Sequence, residues 1–492
     1  MKLPNAIVVD LDGTLTPTDT LVEGTVSMLR ESPLKIFSIA FWLLQGKATL
    51  KANVAKQTNL KVENLPYRLD LISYLKKEKE SGRQLVLATA AHRSIADAVA
   101  KHLGVFDLVL ATEHGRNLKG KEKLAEIRSH VQENFVYAGD SRADLSIWNE
   151  SDSAILVGVS DDVRNKLRNT VTIEAEFKAK QPTLKDWIKA FRVHQWLKNV
   201  LLFVPFATSF TSFEADKVLS LTLAFFSFSL LASSTYIFND LLDLNSDRVH
   251  PRKRNRPFAS GLISPLKGVA AAVFLFAAAF LLASMVSTAF VYALLCYLFL
   301  TTTYSLLLKT YVLMDVLMLS ALYTLRIIAG AIACDVTISK WLVAFSVFVF
   351  LSLALVKRCA ELVTLQANGT DTFTRGRDYR VSDLNVLWPL GVASAMASVV
   401  VFGLFISSPE TAARYATPQL LWLLAFALVY WLGRLWIKTS RGQMHDDPVV
   451  YAIKDRTKSR TAGSSLVLTT VHEPCWTPNK FRASATGDAR DI

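Results

Sequence analysis

Cysteine is scarce in this chain: four residues in 492, Cys296, Cys334, Cys359 and Cys475, with no CxxC or other metal-ligand spacing. That excludes both a disulfide framework and a zinc site. No secretory signal stands at Met1-Lys-Leu-Pro, so the amino-terminal half is expected to fold in the cytosol. Acidic residues are in deficit, 42 against 55 lysines and arginines, for a formal net charge of +13. Much of this basic excess sits in loops between apolar spans, so it does not imply nucleic acid. What the chain has in quantity is apolar surface, at 51% hydrophobic residues and a mean hydropathy of +0.29. Both values are too high for an ordinary soluble protein. The distribution is uneven: up to about Pro182 the chain alternates like a soluble α/β domain, and from about Asn199 to Ile437 it is a series of apolar spans.

Eight candidate spans are expected, at roughly 199–212, 218–238, 266–287, 289–307, 312–334, 340–356, 385–407 and 416–437. Most approach the ~20 residues needed to cross a bilayer; the first is short enough to be tilted or re-entrant. With the amino-terminal half in the cytosol, the outward loops carry only Lys217, Lys340 and Arg414. The opposite loops carry Arg248, Arg252, Lys253, Arg254, Arg256, Lys309, Lys357, Arg358, Arg375, Arg377 and Arg380. That is the asymmetry of the positive-inside rule, and it places the charged clusters on the cytosolic face of an inner membrane.

Ala6-Ile-Val-Val-Asp10-Leu-Asp12-Gly-Thr14 reads as a buried parallel strand ending in two carboxylates and a turn. Three similar strands follow, Gln84–Thr89, Asp107–Ala111 and Phe135–Ala138, the last running into Gly139-Asp140-Ser141-x-x-Asp144. Strand carboxyl ends are where an open α/β sheet binds ligands. On these motifs residues 5–175 resemble the haloacid dehalogenase (HAD) phosphatase superfamily. The resemblance implies that Asp10 attacks phosphorus, that Asp12 protonates the leaving group and then activates water, and that Thr89 and Lys119 hold the phosphoryl oxygens. It also implies Mg²⁺ on Asp10, Asp140 and Asp144. Lys121 and Lys123 compete with Lys119 for the lysine role. A carboxylate attacking a phosphate needs a metal and a lysine to neutralise charge repulsion, and an acid two residues on can reach the leaving oxygen. An inactive, structural domain of this fold is the alternative. In the place of a helical cap stands Leu34-Lys-Ile-Phe-Ser-Ile-Ala-Phe-Trp-Leu-Leu44. It is too short to span and suits either a buried core helix or a segment lying on the membrane.

A linker at Ala175–Thr183 leads to Leu184–Asn199, whose Trp196 and Lys198 suit the headgroup level. Beyond it, Asn239-Asp240-x-x-Asp243-x-x-x-Asp247 closes one apolar span and runs into Arg248-Val-His-Pro-Arg-Lys-Arg-Asn-Arg256. Carboxylates at i, i+3 and i+7 lie close to one helix face. Oxygen ligands at a membrane boundary suit a Mg²⁺–diphosphate site. An acidic helix end neutralised by the basic run is the plainer reading. With this motif, residues 184–437 resemble the UbiA superfamily of membrane prenyltransferases, which implies that Asp240, Asp243 and Asp247 hold Mg²⁺. Asn239, Lys253, Arg254 and Arg256 would then contact the diphosphate. Aromatic prenyltransferases of this superfamily carry a second aspartate-rich motif in a later loop. Here that loop reads Lys357-Arg358-Cys-Ala-Glu361-Leu, then Arg375-Gly-Arg377-Asp378-Tyr379, and has no DxxxD. Together with Lys198, Tyr304, Lys309 and Asp315, it is more similar to the polyprenyl-phosphate phosphoribosyltransferase branch, whose substrates bring additional phosphates for Lys and Arg to meet.

The expected architecture is thus a Rossmann-like HAD domain (1–175), a linker and interfacial helix (176–198), an all-α polytopic membrane domain (199–437) and a polar cytosolic tail (438–492). The expected activity is phosphoribosyl transfer from phosphoribosyl diphosphate to a polyprenyl phosphate, with the fused phosphatase removing the 5-phosphate. An aromatic prenyltransferase using prenyl diphosphate is the alternative. A transporter or scaffold is the remote one, since the acidic residues cluster at one boundary and draw no charged line through the spans. The resemblance also leads one to expect a ninth apolar helix near the end. Instead the residues from Thr457 onward are polar and aperiodic and read as disordered.

Overall fold

Alternation of inward-facing apolar residues along short strands dictates the amino-terminal architecture. In the computed structural model, which describes residues 5–58, 60–113, 117–131, 134–209, 214–369, 377–409, 411 and 417–444, six strands form one sheet in the order β3-β2-β1-β4-β5-β6. The strands are β1 (Ala6–Val9), β2 (Gln84–His92), β3 (Leu108–Thr112), β4 (Phe135–Gly139), β5 (Ser153–Val157) and β6 (Thr172–Phe177). Every pairing is parallel. Ile7, Val9, Leu85 and Leu87 feed one core and Ala6, Val8, Val86 and Ala88 the other, so both faces are buried. Helices α1 (Thr20–Glu31), α2 (Ile36–Leu44) and α3 (Lys47–Gln57) form the cap between β1 and β2. Then come α4 (Leu69–Glu80), α5 (Arg93–Leu103), α6 (Lys121–His130), α7 (Leu145–Trp148), α8 (Asp161–Leu167) and α9 (Leu184–Ala190). The expected HAD-like α/β domain is present. It has two strands, β5 and β6, that the motif reading did not single out, and β6 takes up the start of the expected linker.

The membrane part comprises α10 (Val204–Ser209), α11 (Ala215–Leu242), α12 (Leu244–Val249), α13 (Pro265–Val286), α14 (Thr288–Leu306), α15 (Met314–Ala333), α16 (Lys340–Asn368), α17 (Leu384–Ile406) and α18 (Leu421–Ser440). Seven of the described helices are long and apolar enough to cross a bilayer. The first expected span, 199–212, is not among them. Its described residues form the end of a 3-10 segment, Val193–Phe203, followed by the six-residue α10. At ~1.5 Å per residue a helix of that length covers a third of the hydrocarbon core or less. Where the spanning helices meet, serine hydroxyls donate to carbonyls of the neighbouring helix: Ser227 to Ala279, Ser234 to Ala272, Ser320 to Val347 and Ser352 to Gly391, at 2.7–2.9 Å. Lipid offers no alternative partner for these groups. Of the polar tail placed at 438–492, residues 438–440 continue α18; the part expected to be disordered, from Thr457 onward, lies outside the described residues.

The chain divides into two compact units. The first joins Met1–Trp196 to Phe226–Leu282, so it contains the α/β domain, the carboxyl-terminal half of α11, α12 and most of α13. Its joint is specific. Val22 and Val26 of α1 pack among Ile237, Leu241, Leu244, Phe258, Ala272 and Leu275. Beside them the Arg248 guanidinium donates to both oxygens of Glu23, at 3.0 and 2.6 Å. Both side chains are almost wholly buried. Gly261, at φ +74°, lies against Pro17 and Pro66, and a Cβ there would fall 2.7 Å from Pro17 Cγ.

In the second unit, Leu197–Phe225 with Ala283–Ile492, a glycine lets two segments approach closely. A Cβ on Gly330 of α15 would stand 2.0 Å from the Leu202 carbonyl oxygen. Backbone cannot retreat as a side chain end can. Gly330→Ala is therefore expected to destabilise the protein by about 1–3 kcal/mol, as overpacking does. Gly433→Ala, which meets nothing within 4 Å, should leave the thermal midpoint in detergent unchanged.

Candidate functional site

The carboxyl ends of β1, β2 and β4, adjacent in the sheet, converge on a cavity lined by residues that include Asp10, Asp12, Lys123, Asp140 and Asp144. Asp10 follows β1, and its amide donates to the Ala138 carbonyl of β4 (3.0 Å). Its Oδ1 accepts from the Leu11 amide (2.8 Å) and its Oδ2 pairs with Lys123 Nζ at 2.9 Å. Lys123 also donates to the Tyr137 hydroxyl (3.1 Å), which in turn donates to Asp144 Oδ1 (2.9 Å). Asp144 Oδ2 accepts from the Ser141 amide and hydroxyl, each at 3.1 Å. Carboxylate oxygens of Asp10, Asp140 and Asp144 lie within 4.8 Å of one another. Gly13 makes room for them: at φ +82°, its missing Cβ would fall 2.2 Å from Asp140 Oδ2.

Burial pushes the Asp10 carboxyl up, against the pull of Lys123. Burial, then Asp144 and Asp10, raise Asp140 to about 7. Three carboxylates with one ammonium form a site short of positive charge, and an all-oxygen donor set of this kind fits a hard divalent cation. Asp12 is raised to about 7, by burial first and then by Asp19, while its Oδ1 accepts from the Thr20 amide (2.8 Å). At that value it keeps its proton often enough near neutrality to act as a general acid.

Two of the three candidate lysines, Lys119 and Lys123, line the cavity. The amine on Asp10 is Lys123, whose position in the first turn of α6 points it at the strand ends. Lys51 of the cap was not anticipated. Its Nζ donates to the Ala90 carbonyl (2.7 Å) and Asn117 Oδ1 (2.9 Å), and burial lowers its pKa. Thr89 is buried, its hydroxyl accepting from the Ala91 amide (3.0 Å); Ala90, Ala91 and His92 reach the cavity.

The second aspartate cluster is arranged differently. Asp240 accepts from Arg192, and from Arg256 at 3.0 Å. Asp247 accepts from Arg256 at 2.6 Å and lies 3.8 Å from Lys253. Asp243 faces Arg30 of the cap at 3.5 Å. Positive charge at the motif thus comes from basic side chains, two of them from the run after it. Among the described residues, only Asp10, Asp140 and Asp144 gather three carboxylates closely enough for one ion. Arg192 escaped the sequence reading; it sits at φ +52° after α9, a backbone state that no motif announces. Asn239 is half-buried and Arg254 exposed.

In the second unit, Asp315 and Arg358 were expected to meet substrate. They are wholly buried and pair with each other at 2.7 Å, and Tyr379 donates to Asp315. Arg358 also pairs with Glu361, and Arg377 lies 3.9 Å from Asp315. Tyr304, Lys309 and Lys357 are half-buried. Lys198 lies over the Tyr323 ring (5.6 Å). Its neighbour Asn199 accepts from Arg326 Nε (2.9 Å).

Asp140→Asn relieves the carboxylate crowding and removes a cation ligand. In chelator its thermal midpoint should rise above that of the unaltered protein. A divalent cation at about a hundred times its Kd should stabilise the unaltered protein by about 2.7 kcal/mol and the variant hardly at all; intrinsic-fluorescence melts with and without the cation check both.

Residues 200–453 match the model of the UbiA prenyltransferase family, and residues 44–147 that of haloacid dehalogenase-like hydrolases. The uncharacterized protein y4nM of Sinorhizobium fredii is 38% identical over 463 residues, 93% of this chain and 88% of its own length. Nodulation protein NoeC of Azorhizobium caulinodans is 36% identical over 294 residues, 59% of this chain and 92% of that one. A decaprenyl-phosphate phosphoribosyltransferase of Mycolicibacterium smegmatis is 33% identical over 229 residues, 46% of this chain and 71% of that one. This chain is a multi-pass membrane member of the UbiA prenyltransferase family that carries a haloacid dehalogenase-like hydrolase domain ahead of its spanning helices.

Proposed function

We propose that the chain is a bifunctional Mg²⁺-dependent enzyme that builds a polyprenyl-phosphoryl pentose at the cytosolic face of the inner membrane. The observation that carries this reading is the joint within the first unit. The phosphatase cap is pinned by Glu23–Arg248 and Arg30–Asp243 to the same segment that bears the aspartate motif. In the transferase step a lipid phosphate oxygen attacks the anomeric carbon of phosphoribosyl diphosphate, the carbon–oxygen bond to pyrophosphate breaks, and pyrophosphate leaves. Asp240, Asp243 and Asp247, with Arg192, Lys253 and Arg256 about them, are the residues that would hold the diphosphate and its Mg²⁺. The mycobacterial relative, named for decaprenyl phosphate, supports this donor and acceptor. So does the sequence of residues 357–380, which lacks the second DxxxD that would serve prenyl diphosphate.

The product keeps a 5-phosphate, a monoester suited to the first site. Asp10 would attack its phosphorus while Asp12 protonates the departing sugar oxygen, and water activated by Asp12 would then release phosphate from Asp10. Asp10, Asp140 and Asp144 would hold Mg²⁺, which would supply charge neutralisation for the incoming phosphate. Lys123 holds the Asp10 carboxylate in place.

Membranes given labelled phosphoribosyl diphosphate and polyprenyl phosphate should yield a labelled lipid without the monoester, whereas Asp10→Asn should accumulate the phosphorylated form. Asp12→Asn should slow dephosphorylation about 10²–10⁴-fold and leave transfer intact. Failure to label lipid, together with turnover of prenyl diphosphate on an aromatic acceptor, would replace this reading with aromatic prenyl transfer.

A further inference from the structure

One surface of the phosphatase domain is left unexplained by its chemistry. Helix α2 has no buried residue, and no charged residue occurs from Ile36 to Leu44. Leu34, Phe37, Phe41 and Leu44 follow one another at helical spacing, and Ile36 and Leu43 extend the stripe. Each of the six is more than half exposed, Phe37 at 75% and Leu44 at 88%. Only Ile39 and Trp42, on the opposite side, turn inward to pack with Met28, Leu50 and Val54 of the cap. A buried core helix, one of the two readings open from sequence, is therefore excluded. A contiguous apolar face of this size on a soluble domain marks a docking surface.

What covers it follows from where the cap is held. Its first helix packs on Ile237 and Leu241, at the carboxyl-terminal end of spanning helix α11, and on Ala272 and Leu275 of spanning helix α13. The buried Glu23–Arg248 pair locks that contact. The cap thus sits where two spanning helices leave the bilayer, and Pro33–Leu44 is too short to cross one itself. We infer that α2 lies in the bilayer interface, with Phe37 and Phe41 among the acyl chains. The other side of the cap forms the catalytic cavity through Asp19, Thr20, Leu21, Lys51 and Val54. The phosphatase therefore works at the membrane surface, on phosphate monoesters carried by lipid. The substrate class rests on the phosphatase activity proposed above; the bilayer contact does not.

Full-length protein in vesicles containing a phospholipid with a photoactivatable acyl chain gives the direct test. The segment 34–44 should be labelled along with α13 and α14. Phe37→Ser with Phe41→Ser should remove the label from 34–44 and leave that on α13 and α14 unchanged. The same double variant should hydrolyse a lipid-borne phosphate monoester roughly tenfold or more slowly, with soluble 4-nitrophenyl phosphate turned over within about twofold of the unaltered rate. Label on α13 and α14 but none on 34–44 overturns the inference, as does cross-linking of 34–44 to a second copy. Equal loss on both substrates overturns the substrate class. Labelled 34–44 in a protein that hydrolyses neither substrate supports the bilayer contact and counts against the phosphatase reading instead.

Discussion

A carboxylate removed from water must meet positive charge, and in this protein that requirement shapes both functional regions. Asp10 and Asp144 share Lys123 and Tyr137 between them, yet with Asp140 the cluster still carries more negative charge than its surroundings offset. Asp240 stands near the end of spanning helix α11 and Asp247 on the short α12 after it, with Arg192, Arg256 and Lys253 against them. The first region is poised for a cation, and the second already gathers basic side chains that would suit a diphosphate. Asp315 and Arg358 are the third solution, a buried ion pair that Tyr379 and Glu361 extend. Such a pair is costly to open, so the fold keeps it shut.

Both aspartate clusters belong to one unit because the cap is built into the membrane boundary. Insertion of α1–α3 between β1 and β2 gives the sheet a lid, and the apolar side of α1 gives that lid a seat on α11 and α13. Under the proposed function, a lipid product formed at the aspartate motif would stay in the plane in which the cap rests, and its search for the second site would be confined to two dimensions.

Much of this was legible in the chain, for physical reasons that differ by element. β1, β2 and β4 announce themselves because a strand buried on both faces must be apolar throughout, and their terminal aspartates stand out against that background. The seven crossing helices are equally visible. The segment 199–212 misled because composition reports apolarity and not length of helix; its tight seat on Gly330 is a tertiary fact. Lys123 could not be told from Lys119 or Lys121, since all three precede or open α6 and only the helix phase selects one. Arg192 owes its place on Asp240 to a left-handed residue with no sequence signature. The apolar segment 34–44 left two readings open, and the packing of Ile39 and Trp42 alone toward the cap decided between them.

The Glu23–Arg248 pair has a consequence for how such a chain can be reshuffled. The two residues lie far apart in sequence, on opposite sides of the point where a phosphatase gene and a transferase gene would be joined. A recombinant that exchanged the amino-terminal half for another hydrolase without an acid at that position would bury a lone guanidinium, at a cost of about 3–5 kcal/mol. The joint therefore acts as a lock on modularity: a hydrolase half could be exchanged without that cost only if it brought an acid to the position of Glu23 or if Arg248 were replaced as well.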